Sequence, residues 1–225
     1  MKRLVMEFIG TFFLPLTIAF GGGTMALGIM LMAMIYMGEH ISGGHFNPAV
    51  SLISLFRRKM NFVTFFQYAT AQTMGALAAA ALIYVISNKI YYIGVPNNVM
   101  LWKAGIIEIL ATFVFCSVII AVSNVTRLKN SAIFGIAIGL TLISIASMSA
   151  SISGSCFNPA LCLGTGLFDF MLNAGSTLKQ VQTSSLMLVM RENMPLIKQT
   201  LMYVLAPSFG SFVAVHCYRY LNNEK

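Results

Sequence analysis

The sequence has 225 residues, of which 58% are apolar and 9% charged, where an average soluble domain carries roughly 25% charged residues. That balance excludes an ordinary water-soluble globule and leaves a chain that crosses a membrane several times, since six spans of about 20 residues need only roughly 120. The net charge of +8 comes from 14 Lys and Arg that sit at the ends of apolar runs rather than in a patch or stripe, which argues against nucleic acid as a partner.

The chain opens with Lys2 and Arg3 before an apolar run over 4–20, the layout of a cleavable leader. Glu7 interrupts that run and the segment has a counterpart a hundred residues later, so it reads as a retained first span. A Gly21-Gly22-Gly23 turn leads to a second run over 24–37. The stretch 47–56 opens with Asn47-Pro48-Ala49 and is too short to cross about 30 Å of hydrocarbon, so it reads as a half-helix. Further spans follow over 62–87, 101–123 and 132–150, then a second half-helix over 158–168 opening with Asn158-Pro159-Ala160, and a last span over 200–220. Between these two, 169–198 is expected to be an extended outer loop, with Lys179, Gln180, Gln182, Arg191 and Glu192 around an apolar stretch 186–190. It either lies over the outer vestibule or has no role of its own. Alternating the joints between sides puts Lys2, Arg3, Arg57, Arg58, Lys59, Arg127, Lys129, Arg219 and Lys225 on one side and Lys89, Lys103, Lys179, Arg191 and Lys198 on the other. The excess places both termini in the cytoplasm.

The most informative feature is an internal repeat. Ser42-Gly43-Gly44-His45-Phe46-Asn47-Pro48-Ala49 matches Ser153-Gly154-Ser155-Cys156-Phe157-Asn158-Pro159-Ala160 at Ser, Gly, Phe, Asn, Pro and Ala, and Glu7-Phe8-Ile9-Gly10-Thr11-Phe12 matches Glu108-Ile109-Leu110-Ala111-Thr112-Phe113. The repeats cover about 1–87 and 101–220 of a single transmembrane domain over 1–225. Each holds three spans, an odd number, so the halves are inserted in opposite senses and their half-helices enter from opposite faces. The expected fold is all-α: six transmembrane helices and two re-entrant half-helices in an inverted repeat.

Asn favours the N-cap, Pro the first helical position, and the small Ala lets two such turns pack together. At membrane depth irregular backbone is tolerated only where it is buried in protein or lines a wet cavity. Two helix N-termini, each worth about half a positive charge, aimed at one point repel cations and suit a water oxygen or an anion. The amides of Asn47 and Asn158 add N–H donors there, which orient a passing water and interrupt a proton-conducting chain.

With these residues in hand the chain resembles the aquaporin and aquaglyceroporin (major intrinsic protein) family over nearly its whole length. Gly38-Glu39-His40-Ile41 before the first loop, Gly154, and Pro207-Ser208-Phe209-Gly210 in the last span carry the resemblance further. It implies a right-handed bundle in which Glu7 and Glu108 hold the re-entrant loops, and an ionisable group inside a span needs such a role. His45 resembles the family's loop-bracing histidine. The resemblance also implies a homotetramer in the cell (plasma or inner) membrane, passing water and small neutral solutes such as glycerol, hydrogen peroxide or ammonia. The competing readings are a non-conducting or structural scaffold and a weakly selective leak pore. No nucleophile, base and orienting group converge, and no phosphate-cradling or metal-binding motif occurs, so neither an enzyme nor a cofactor is expected.

The sequence departs from that family in its filter. The family's usual Arg, three residues after the second Asn, is here Leu161; the other filter positions fall by offset on Leu27, Ala146 and Ser155. This filter is apolar, so exclusion of cations rests more on the half-helix dipoles and the two Asn residues. The first half is also short: 40 positions separate Glu7 from Asn47, against 50 from Glu108 to Asn158, which shifts Leu27 toward the outer mouth. Cys116, Cys156, Cys162 and Cys217 show no CxxC spacing and indicate neither a zinc site nor a disulfide framework. Cys156 and Cys162 read as buried thiols rather than a mercurial-sensitive pair. The serines from Ser144 to Ser153 either line a polar wall or bond their own helix, and the 16 methionines read as packing residues, not copper ligands.

Overall fold

The computed structural model describes residues 1–124, 133–180, 190 and 193–223, with the helix backbone alone over 174–180. Among the described residues the chain forms eight α-helices: α1 (Lys2–Ala19), α2 (Gly23–Ser42), α3 (Pro48–Phe56), α4 (Phe62–Ser87), α5 (Leu101–Asn124), α6 (Ile133–Ser153), α7 (Pro159–Gln180) and α8 (Met194–Leu221). Local chemistry fixes several ends. Asn47 is extended (φ −160°) and its side chain accepts from the Ala49 N–H, so α3 begins at Pro48. Asn61 caps α4 in the same way through Thr64, and α4 stops at Asn88 in the left-handed region. α2 ends on Gly43 at φ 92°, where a side chain would be strained.

Five of these helices, α2, α4, α5, α6 and α8, are long and apolar enough to cross a membrane. α1 carries Lys2, Arg3 and Glu7 within its 18 residues. It nonetheless packs against α2 and α4 as α5 packs against α6 and α8, which is the place of a sixth span. Phe66, Val85 and Leu205, each more than 60% exposed, are among many large apolar side chains on the outside of the helices, and an apolar surface of that extent is one that faces lipid or a partner.

The packing follows a pseudo-twofold. The halves are joined by α2 on α6, and by α4 on α7 matched by α8 on α3. The axis runs past Gly28 and Gly139, where a Cβ on either would lie 2.6 Å from the other's carbonyl oxygen. Only glycine lets the two backbones come this close. Gly75 of α4 and Gly210 of α8 form a matched pair, a Cβ at each meeting the Phe8 or Ile109 carbonyl oxygen at 2.4 or 2.6 Å.

The region after the second half-helix corrects one expectation. α7 does not stop near 168 but continues to Gln180, and α8 starts at Met194, so helix occupies much of what reads as an extended loop over 169–198. The end of the apolar run marks where the helix leaves hydrocarbon, not where it ends: Asn173 donates to the Asp169 carboxylate at 2.7 Å one turn away, and such i,i+4 pairs hold a polar helix together. Gln182, residues 186–189, Arg191 and Glu192, like Arg127, Lys129 and Lys225, lie outside the described residues, and of Lys179 and Gln180 only the backbone is described.

Candidate pore

Each Asn-Pro-Ala loop hangs from a buried carboxylate. Glu7 Oε1 accepts from the Ser42 hydroxyl (2.6 Å) and the His45 N–H (3.0 Å), and Oε2 from the Phe46 N–H (2.6 Å) and Gln72 Nε2 (2.8 Å). Glu108 repeats the arrangement: Oε1 accepts from Ser153 (2.6 Å) and the Cys156 N–H (3.0 Å), Oε2 from the Phe157 N–H (2.7 Å). Both acids are fully buried, and each is surrounded by donors that a neutral side chain would leave unmatched. Tyr68 and Tyr203 complete the pattern by donating to the Ser42 and Ser153 carbonyls.

These bonds hold Phe46 (φ 50°) and Phe157 (φ 47°) in the left-handed region, which costs a non-glycine residue roughly 1–3 kcal/mol. The strain turns their carbonyls toward the opposite loop. Asn47 Nδ2 donates to the Phe157 oxygen at 2.8 Å, and Asn158 Nδ2 to the Phe46 oxygen at 2.9 Å. Each Asn oxygen caps its own half-helix, through Ala49 (2.8 Å) and Ala160 (3.1 Å). Of four hydrogen-bonding sites per amide, one N–H donor and one oxygen lone pair are left over. Thr11 also donates to the Phe46 oxygen at 3.2 Å.

Both Asn side chains line a cavity of about 20 Å³ whose other walls include Leu14, Leu27, Leu31, Phe115, Leu142 and Leu161. About 10–15 Å³ is the least that holds one water, so the space fits a single molecule between apolar walls and two amides. On the side of the termini a wider cavity of about 320 Å³ follows, with Glu39, Ser54, Arg57 and Ser123 in its wall; His45 borders both spaces. The His45 ring lies 3.0 Å from Ser51 Oγ and edge-on to Tyr68, which ties the first loop to α3 and α4.

The four offset-derived filter positions separate into two pairs. Leu27 and Leu161 face the same small cavity as the two Asn residues. The position of Leu27 corrects the expectation of an outer-mouth site, because the Gly28–Gly139 approach draws this part of α2 into the bundle. Ser155 instead donates to the Ala146 carbonyl at 2.7 Å and lies 2.8 Å from Ser149 Oγ, so its hydroxyl is engaged by α6. Ser144 and Ser149 bond carbonyls of their own helix. The cysteines correct a second expectation: Cys156 and Cys162 are joined in a disulfide, brought together because the turn at Asn158 folds the loop back over the first turn of α7. On the far side, residues 88–100 cover the bundle, where burial pushes the Tyr92 hydroxyl up to about 12.

The comparisons with known proteins agree with this geometry. The family model for the major intrinsic protein matches residues 17–218. The chain belongs to the major intrinsic protein family. It is 27% identical to a glycerol uptake facilitator protein-like 6 of Lactiplantibacillus plantarum over the full length of both chains. It is 32% identical to an Aquaporin Z of Brucella melitensis over 75% of this chain and 85% of that one. It is also 32% identical to Nodulin-26 of Glycine max over 73% and 66%. The solved aquaglyceroporin of Plasmodium falciparum superposes with a TM-score of 0.77, covering 96% of this chain and 94% of that one at 20% identity. Major intrinsic proteins are membrane channels for water and small solutes, not enzymes.

Several members of this arrangement escape sequence reasoning. Gln72 is the fourth donor on Glu7, and Tyr68 and Tyr203 buttress the two loops. A signal existed: Gln72 is a polar side chain in an apolar span, where such groups are costly unless they have partners.

Proposed function

We propose that this chain is a passive channel for water and small neutral solutes such as glycerol, hydrogen peroxide and ammonia, in the cell membrane with both termini cytoplasmic, assembled as a homotetramer with one pore per subunit. The names of its relatives, a glycerol uptake facilitator-like protein and Aquaporin Z, support that range of solutes. The observation that carries the reading is the one-water cavity with both Asn side chains in its wall. An amide N–H on each side binds the oxygen of a passing molecule, apolar walls leave it few other partners, and the two half-helix N-termini repel cations. Asn47-Pro48-Ala49 and Asn158-Pro159-Ala160 are the central motifs; Glu7, Glu108 and His45 hold them.

Leu27 and Leu161, with Ala146 and Ser155 behind, form a filter without fixed charge. Leu161 stands where the family usually has Arg, so a solute passing it meets no guanidinium and loses no bond to one. The small cavity also supports a second reading, a scaffold that does not conduct. Stopped-flow light scattering on proteoliposomes distinguishes them. The native protein should admit small neutral solutes faster than its Leu161→Arg variant, whereas equal rates in both, at the level of empty vesicles, would favour the scaffold.

A further inference from the structure

Cys156 and Cys162 straddle Asn158-Pro159-Ala160 and are joined across it. Cys156 borders the one-water cavity beside Asn158 and Leu161, its backbone N–H is held by Glu108 at 3.0 Å, and its sulfur lies 3.2 Å from the Asn158 carbonyl oxygen. Cys162 is fully buried, next in sequence to Leu161. Cys156 of this pair therefore stands in the wall of the one-water cavity, where a molecule small enough to enter that space reaches it, while Cys162 is enclosed.

We propose that Cys156 and Cys162 are a redox-active pair that sets the bore of the pore, open when joined and constricted when reduced. Reduction breaks the bond between the two sulfurs, and two unbonded heavy atoms stay about 3.5–4 Å apart. Reduction therefore separates the sulfurs. Cys162 is fully buried and Cys156 borders the cavity, so the displacement falls on Cys156. A space that holds one water loses it when a thiol moves in. The freed thiol has an acceptor at hand in the Asn158 carbonyl, so the change also reaches the cap of the second half-helix.

The oxidant is a peroxide arriving through the conduit. One thiol attacks the peroxide, the O–O bond breaks and a sulfenic acid and water form. The second thiol then displaces that hydroxyl, the S–S bond forms and a second water leaves. Two electrons pass from the two sulfurs to the two peroxide oxygens, and both thiol protons end in water. A dithiol reductant reverses the state by thiol–disulfide exchange, ending as its own disulfide.

The proposal rests on the pore reading and is tested with separate readouts. Proteoliposomes of the full chain are treated with hydrogen peroxide or a membrane-permeant dithiol, thiols are mapped by maleimide labelling with mass spectrometry, and osmotic water flux is recorded on the same samples. Cys156 and Cys162 should be unlabelled after peroxide and labelled after the dithiol, and flux should fall severalfold on reduction and recover on reoxidation. Cys162→Ser and, as a smaller side chain at the cavity, Cys156→Ala should each lose the response, and Cys217→Ser should keep it. A pair that never exchanges, exchange without a change in flux, or a response that survives in either Cys162→Ser or Cys156→Ala would overturn the proposal. Flux at the level of empty vesicles in every state would overturn the pore reading itself.

Discussion

Replacing Glu108 with Ala removes the acceptor of two backbone N–H groups, those of Cys156 and Phe157, and of the Ser153 hydroxyl. The hydroxyl can turn elsewhere, but the two amides are fixed in a buried loop. At roughly 1–3 kcal/mol for each buried donor left unmatched, the loss is about 2–6 kcal/mol, a large part of the 5–15 kcal/mol that stabilises a typical domain. Phe157 then has no anchor on its N–H and is held at φ 47° only through its carbonyl, a bond to Asn47 Nδ2 that should weaken as the loop relaxes. Ser153→Ala removes one donor from the carboxylate, which keeps two others, and the more distant acceptor (3.2 Å) of the Ser155 N–H; loss of the bond to the carboxylate costs about 1.5–3 kcal/mol. Denaturant titration in mixed micelles should therefore rank Glu108→Ala below Ser153→Ala, and the double variant should lose less than the sum of the two single losses, because the bond between the two side chains is gone in either single variant. Water flux should follow the same order. Additive losses, or a Glu108→Ala protein with native stability and native flux, would refute the assignment of this carboxylate as the loop's anchor.

Two other perturbations have definite expectations. Gly139→Ala puts a methyl 2.6 Å from the Gly28 carbonyl, so α2 and α6 must separate; overpacking of this kind costs about 1–3 kcal/mol, read as a lower thermal midpoint in detergent, and Gly105→Ala in α5, where the nearest atom to the new methyl lies 3.5 Å away, should show no such loss. Asn158→Asp replaces the donor to the Phe46 oxygen with an acceptor and puts negative charge where two half-helix N-termini meet; vesicles should gain a cation leak seen as faster decay of a potassium gradient, and an unchanged leak would count against the electrostatic role given to that site.

The inverted repeat made the bundle readable, because two acid-bearing spans and two Asn-Pro-Ala turns at matching places admit few arrangements at membrane depth. The loop anchors Glu7 and Glu108 were legible for the same reason: a carboxylate in hydrocarbon needs partners. What escaped depends on three-dimensional approach. Leu27 is drawn to the cavity by the Gly28–Gly139 contact, which no count of residues from Asn47 contains. Cys156 and Cys162 meet because a turn lies between them, whereas a search for closely spaced pairs passes over a separation of six. The continuation of α7 to Gln180 was hidden because hydropathy reports the solvent around a helix, not its hydrogen bonds. Gln72 and Tyr203 belong to spans whose overall apolarity masked single polar side chains.

The central claim is that the space between Asn47 and Asn158 conducts. Osmotic shrinkage of proteoliposomes containing correctly folded protein in its oxidised state, followed by stopped-flow light scattering, tests it most directly. The account predicts shrinkage clearly faster than in empty vesicles; a rate equal to theirs would contradict it.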